Sequence, residues 1–180
     1  MPASDTVFDV VYELAQRFGR GSKALPAQVD YTPVSTVLCF SALGIELAIP
    51  LEELAEVLEV PAYTRLPRVK SWVAGVASVR GKLLPIVDLA AFLGAEMTTT
   101  TKLHRVLVID MHGIYVGLLV DGVIGVRHFN TELFSSYRAD VPNLLRRYVL
   151  GCFVEEDGKK TRLFRPAQFI TDRSFLDVAV

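Results

Sequence analysis

The spacing of apolar and polar positions changes character along the chain. In residues 7–18, "VFDVVYELAQRF", Val7, Val11, Leu14 and Phe18 recur at helical intervals and predict an amphipathic helix with one apolar stripe. Residues 19–34, "GRGSKALPAQVDYTPV", are rich in Gly, Ser and Pro and predict a linker. From residue 35 the pattern is that of strands. "STVLCF" and "IELAIP" flank "SALG" as a hairpin. "PLEELAEVLEV" begins like a short helix and turns β-branched towards Val57–Val60. The connection that follows, "YTRLPRVKSWV", lies among Pro61 and Pro67, which suit only turns or edges. "GVASV" and "KLLPIVDL" flank "RG" as a second hairpin, with Gly81 free to take a positive φ. "DLAAFLG" predicts a short helix closed by Gly94, and "EMTTTTK" a polar loop. Residues 129–150 interrupt the strands, and "VPNLLRRYVLG" predicts a short helix entered after Pro142 and ending near Gly151.

The strand pattern comes round twice. Residues 36–59 lie over residues 105–128 without a gap, so that Val37/Val106, Leu38/Leu107, Gly44/Gly113, Ile45/Ile114 and Val57/Val126 coincide. The hairpin around "EEDGKK" with its "LFRPAQFI" echoes "IVDLAAFL". Many short strands in two similar halves suggest two small barrels.

Composition narrows the function classes. The chain has 180 residues, 51% of them hydrophobic and 22% charged, enough to build a core. The net charge is -1, so no basic excess draws it to nucleic acid or anionic lipid. The N-terminus lacks the pattern of a secretory signal, and no apolar run is long enough to cross a membrane as a helix. Cys39 and Cys152 lie in apolar runs and are expected to be buried reduced thiols, which fits a reducing cytoplasm.

Catalytic chemistry finds little support. His104, His112 and His128 have no metal-ligand spacing, and no metal or cofactor is expected. There is no phosphate-cradling glycine loop or nucleophile elbow. "VDG" at 120–122 reads as a strand end and turn, since a calcium loop's later ligands are missing. Trp72 is expected as a lid or core residue. A binding module fits best. An enzyme or small-ligand barrel would need a polar pocket converging on His104 or His128, and a nucleic-acid barrel a basic stripe through Arg65, Arg68 and Lys70.

The stretch "VKSWVAGVASVRGKLLPIVDLAAFLG" resembles the signature of CheW-like chemotaxis coupling domains, with Gly75, Val76, Arg80, Gly81, Pro85, Asp88 and Leu89 in order. "GLLVDGVIGV", residues 117–126, resembles the second family block, and the likeness covers about residues 35–175. It implies a mainly β fold of two five-stranded SH3-like barrels side by side. Residues 35–95 would form mostly one barrel and 103–175 mostly the other, with strands interleaved. It implies no catalysis. Such proteins bridge the cytoplasmic tip of a methyl-accepting chemoreceptor and the regulatory domain of a CheA-type histidine kinase, in cytoplasmic arrays at the inner membrane. The linker, the N-terminal helix and the terminal "FLDVAV" look most like members serving type IV pilus twitching motility; a flagellar chemotaxis adaptor is the alternative within the family. The resemblance carries a receptor contact to Arg80, Glu56, Gly75, Val106 and Gly117. For the kinase contact, Val60, Tyr63 and Leu66 stand beside a Pro-punctuated edge. Each has a plainer reading: Arg80 as a clamp on backbone carbonyls between the barrels, Glu56 as a solvated charge, Gly75 and Gly117 as strand glycines, Val106 as core.

Overall fold

The computed structural model describes residues 34–180; the expected helix over 7–18 lies outside the described residues. Twelve strands follow in order: β1 (Val34–Ala42), β2 (Ile45–Pro50), β3 (Glu56–Glu59), β4 (Tyr63–Thr64), β5 (Val73–Val79), β6 (Lys82–Asp88), β7 (Arg105–Met111), β8 (Ile114–Val120), β9 (Gly122–Asn130), β10 (Phe134–Ser135), β11 (Val149–Val154) and β12 (Lys160–Phe164). They form two six-stranded sheets. The first runs β10-β11-β12-β2-β1-β9 and the second β3-β7-β8-β6-β5-β4. Without the two-residue strands β4 and β10, each sheet has the expected five.

The expected division at residues 95 and 103 does not follow the strand pairing. The second sheet is continuous in sequence from β3 to β8, while the first joins β1 and β2 to β9–β12. The reason is a reciprocal exchange between the two halves. Each half opens with a hairpin, β1–β2 or β7–β8, and its third strand leaves to pair with the other half's first strand. β3 pairs with β7 through Leu58↔Val106, and β9 pairs with β1 through Arg127↔Val37. These are the same positions of the repeat, so sequence likeness and hydrogen-bond register agree.

The repeat extends to the second hairpins. β6 runs parallel to β8 with Ile86 opposite Gly117, and β12 parallel to β2 with Leu163 opposite Ala48. A helical turn follows each, Leu89–Phe92 and Pro166–Ile170. Asp88 caps the first by accepting from the Ala91 amide at 2.9 Å, and Gly94 at φ +73 closes it as expected.

Three clusters form the core. Val37, Cys39, Ala48, Phe129, Phe153 and Leu163 fill the first sheet's own interior. Ala77, Leu84, Ile86, Val106, Val108 and Leu119 fill the second's. Between the sheets lies the largest cluster, where Leu38, Phe40, Leu47 and Ile49 share a core with Leu107, Ile109, Leu118 and Val120. This explains the unbroken apolar runs "VLCF" and "VLVI": alternate residues face different cores, so both faces of β1 and β7 are buried.

Trp72 is buried in the central cluster, stacked on Phe175 at 5.9 Å. The helix after Pro142 is shorter than expected. It spans Asn143–Arg146, and Val149, Leu150 and Gly151 already belong to β11. The run "YVLGCFV" is β-branched and aromatic, so strand propensity and Val149's burial end the helix early. Wholly buried, Asp121 accepts from the Thr98 amide at 2.7 Å and the Thr98 hydroxyl at 2.8 Å, pinning the polar loop before β7.

Candidate functional site

Arg80 sits at the two-residue turn between β5 and β6, where Val79 pairs with Lys82. Its φ is +49 and that of Gly81 is +79, the two positive values a type I′ turn requires. Leu43–Gly44 and His112–Gly113 close their hairpins in the same way, so the backbone conformation belongs to the turn and does not by itself mark Arg80. The side chain is what differs. Arg80 Nη2 lies 3.0 Å from Glu56 Oε2, at the start of β3. The Arg80 side chain is 79% exposed and the Glu56 side chain 23%.

Glu56 and the β5–β6 turn are on the first and fourth strands of the sheet order. A flat sheet would hold those strands about 14 Å apart, so the contact requires the sheet to curl on itself, as a barrel wall does. Among the described residues Arg80 donates to no backbone carbonyl, so the clamp reading has no bond to rest on. A planar guanidinium with one edge held by Glu56 keeps its other donors turned to solvent.

The structure takes the other three expected receptor residues off the surface. Val106 is wholly buried in the second sheet's interior. A Cβ on Gly117 would meet Val106 Cγ1 at 2.5 Å, so this glycine lets β8 and its neighbours pack. A Cβ on Gly75, at φ +153, would lie 2.3 Å from the carbonyl oxygen of Thr64 in β4. The first sheet repeats that arrangement. A Cβ on Gly151 would lie 2.2 Å from the Ser135 oxygen in β10, and both glycines follow a shift in strand register. Gly75 therefore serves a structural need that both sheets share. Gly75 packs against β4, and Gly117 against Val106 and Leu84 in the second sheet's interior.

Of the kinase candidates, Val60 directly follows β3, and Tyr63 and Leu66 lie at and beyond β4, the opposite end of the sheet order. Tyr63 is in β4, and Val60 and Tyr63 pack partly buried against the second sheet's interior. Leu66 stands 44% exposed beyond them. Tyr63 and Leu66 line a cleft of about 370 Å³ with Arg65, Val69, Lys70 and Leu119.

The first sheet holds a charged network that the sequence reading missed. Arg127 Nη1 donates to Glu46 Oε1 at 3.1 Å and Nη2 to Glu155 Oε2 at 2.8 Å. Lys159 Nζ lies 2.8 Å from Glu46 Oε2, and the buried Thr161 hydroxyl donates to Oε1 at 3.0 Å. Burial works to raise the Glu46 carboxyl, but the bonds from Lys159 and Thr161 and the charges of Lys159 and Arg127 hold it below its ordinary value. Burial pushes the nearby Cys39 thiol up to about 11, and both cysteines are free and buried. The available signal was in β9, where Arg127 and Phe129 alternate with exposed Ile124, Val126 and His128. The period of two is regular, but the face turned inward carries the charge.

The rival readings gain nothing from geometry. His104 is buried against the Thr99 carbonyl oxygen at 3.1 Å, and His112 lies in its hairpin turn. His128 shares an open cleft of about 450 Å³ with Glu155, Glu156 and Asp157. There Glu155 is tied to Arg127, and His128 lies 3.0 Å from the Thr36 hydroxyl. Lys70 is paired with Asp177 at 2.7 Å, which interrupts the basic stripe. Among the described residues no helix is long and apolar enough to cross a membrane.

Comparison with known proteins agrees with this geometry. A family model described as "CheW-like domain" matches residues 36–174. The chain is 39% identical to Protein PilI of Pseudomonas aeruginosa over 97% of both chains. It is 36% identical to Protein FrzA of Myxococcus xanthus over 58% of this chain and 64% of that one. Among solved structures, the scaffolding protein TtCheW of Thermoanaerobacter tengcongensis shares the fold with a TM-score of 0.68 at 20% identity, covering 79% of this chain and 96% of that one. With the double sheet, the repeat and the family model in agreement, the chain belongs to the CheW-like family and has its scaffold fold.

Proposed function

We propose that this chain is a non-catalytic adaptor that couples the cytoplasmic tip of a methyl-accepting chemoreceptor to a CheA-type histidine kinase. The array would lie in the cytoplasm at the inner membrane and control type IV pilus twitching motility. The likeness to Protein PilI along nearly the whole chain supports the pilus assignment. The observation that carries the receptor side is the Arg80–Glu56 pair, an exposed guanidinium held at the rim of the second sheet. Gly75, Val106 and Gly117 would serve the receptor side through the packing of the same sheet. Val60, Tyr63 and Leu66 form the kinase side, where an apolar edge is left half-covered.

The test is to measure binding of a receptor cytoplasmic hairpin and of a kinase regulatory domain to wild type, Arg80→Ala and Arg80→Lys. Arg80→Ala should weaken receptor binding by about 1–3 kcal/mol, the range of an interface hot spot, with kinase binding unchanged. Lysine keeps the charge without the planar fork and should restore only part of the loss. A folded Arg80→Ala protein that binds receptor normally would sink the receptor assignment.

A further inference from the structure

The connection between β4 and β5 carries Leu66, yet little in its own sequence holds it. Its course contains a strained point, since Arg68 follows Pro67 with φ +58, a conformation that a non-glycine residue keeps only when its surroundings hold it. Among the described residues, and apart from the local bond from the Val73 amide to the Lys70 carbonyl, the backbone bonds that residues 65–71 make outside the strands run to one place. The Lys70 amide donates to the Val178 carbonyl at 3.0 Å, and the Val180 amide donates to the Arg68 carbonyl at 3.2 Å. Val69 and Ala179 form an isolated antiparallel bridge, and Lys70 Nζ lies 2.7 Å from Asp177 Oδ2. The segment making these contacts is itself anchored. Phe175 is buried and packs on Trp72, Phe92 and Phe169.

We infer that residues 177–180 are a clasp that holds the 65–71 connection in its docking shape, so that binding of the kinase regulatory domain depends on a segment that need not touch it. The inference rests on the kinase assignment of Tyr63 and Leu66. Phe175 fixes the clasp to the central core, the bridge fixes Val69, and the cleft lined by Tyr63, Leu66 and Val69 keeps its form. Residues 177–180 are positioning residues. The Arg80 turn lies outside these contacts, so receptor binding is independent of them.

The experiment compares the full chain with a form lacking residues 177–180 and with Leu66→Asp. It follows amide exchange at Lys70 and the affinities for the kinase regulatory domain and the receptor hairpin. Removing 177–180 should speed Lys70 exchange and weaken kinase binding by about tenfold each, with receptor binding unchanged. Leu66→Asp should weaken kinase binding and leave Lys70 exchange as it was. If the shortened chain does not fold, Val180→Pro, which removes only the donor to Arg68, takes its place with the same readouts. Unchanged Lys70 exchange overturns the clasp. So does faster exchange with kinase affinity intact while Leu66→Asp still weakens binding, and the kinase assignment then stands. Weakened kinase binding on removal of 177–180 with none from Leu66→Asp would make those residues a contact, which also overturns positioning. Kinase binding indifferent to both changes would remove the kinase assignment and the clasp with it.

Discussion

The two sheets share one plan and use it for opposite ends. In each, the turn of the second hairpin reaches the third strand of its own half of the repeat, and an ion pair joins them. In the second sheet the turn supplies Arg80 and β3 supplies Glu56; in the first the turn supplies Glu155 and β9 supplies Arg127. The signs are reversed, and so is the setting. Arg127 is 31% exposed and Glu155 26%, with Glu46, Lys159 and Thr161 closing around them. The interiors behind the pairs also differ. Leu58, Val108 and Tyr115 of the second sheet occupy the places of Arg127, Cys39 and Glu46 in the first. One pair is enclosed as a structural lock, and its counterpart lies exposed at the surface.

The largest test of this equivalence concerns the bulge glycines. Gly75→Ala should cost about 3 kcal/mol, because it adds a clash with a backbone oxygen to a positive φ. Gly151→Ala should cost somewhat less, having the clash alone. Chemical denaturation measures both. A stable Gly75→Ala protein that had lost receptor binding would return Gly75 to the contact surface.

Next come the two arginines. Arg127→Ala leaves Glu155 shielded without its partner and Glu46 with Lys159 and Thr161 alone, and should cost about 2–3 kcal/mol, visible as a lower Tm. Arg80→Ala removes an exposed pair and should change stability by less than about 1 kcal/mol. Equal losses would dissolve the contrast between lock and surface.

Acid sharpens it further. Glu46 and Asp140 are held below their ordinary values against the effect of burial: Glu46 as described, Asp140 by Lys160 and Arg162 of β12. Bonds from Ser174 hold Asp172 at about 2, with Tyr148 and Arg147 adding to the effect against burial. A depressed carboxyl contributes stability that is full above its unfolded value and disappears as pH falls through the folded one. Stability should therefore drop below about pH 4. Asp172→Asn should remove about 1–2 kcal/mol of that drop, measured as unfolding free energy against pH. A drop of the same size in the variant would show that Asp172 does not titrate in that range.

The smallest effect is expected at Cys39. Val108 fills the equivalent place in the second sheet, so Cys39→Val should alter stability by less than about 1.5 kcal/mol. A larger loss would mean that the thiol's neighbourhood with Arg127 matters to the lock.

Strands were legible where burial is two-sided, as in β1 and β7, because apolar runs bounded by Gly turns leave few alternatives. The hairpin turn was legible from "RG" and Gly81's freedom to take a positive φ, while the positive φ of Arg80 itself was not. Strand partners were not. Nothing local in "EVLE" says that β3 pairs with β7, since that choice is made by an edge formed fifty or so residues later in the chain. The inward face of β9 was illegible for another reason: period two identifies a strand but leaves open which face turns inward, and here Arg127 goes in while Ile124 and Val126 stay out. Glu56 entered through family resemblance, and only the curl of the sheet brings it to Arg80.

The exchange of β3 and β9 also sets a timetable. All six strands of the second sheet lie between residues 56 and 120, so a chain emerging from the ribosome can complete that sheet first. β1 and β2 are made earlier yet must wait for β9 and β12, separated from them by the whole of the finished sheet. Loop closure over that distance is the slow step that contact order penalises. In pulse-labelled exchange, amides of β7 and β8 should gain protection before those that β1 donates to β9. The sheet bearing the Arg80 turn would then be the template on which the locked sheet is assembled.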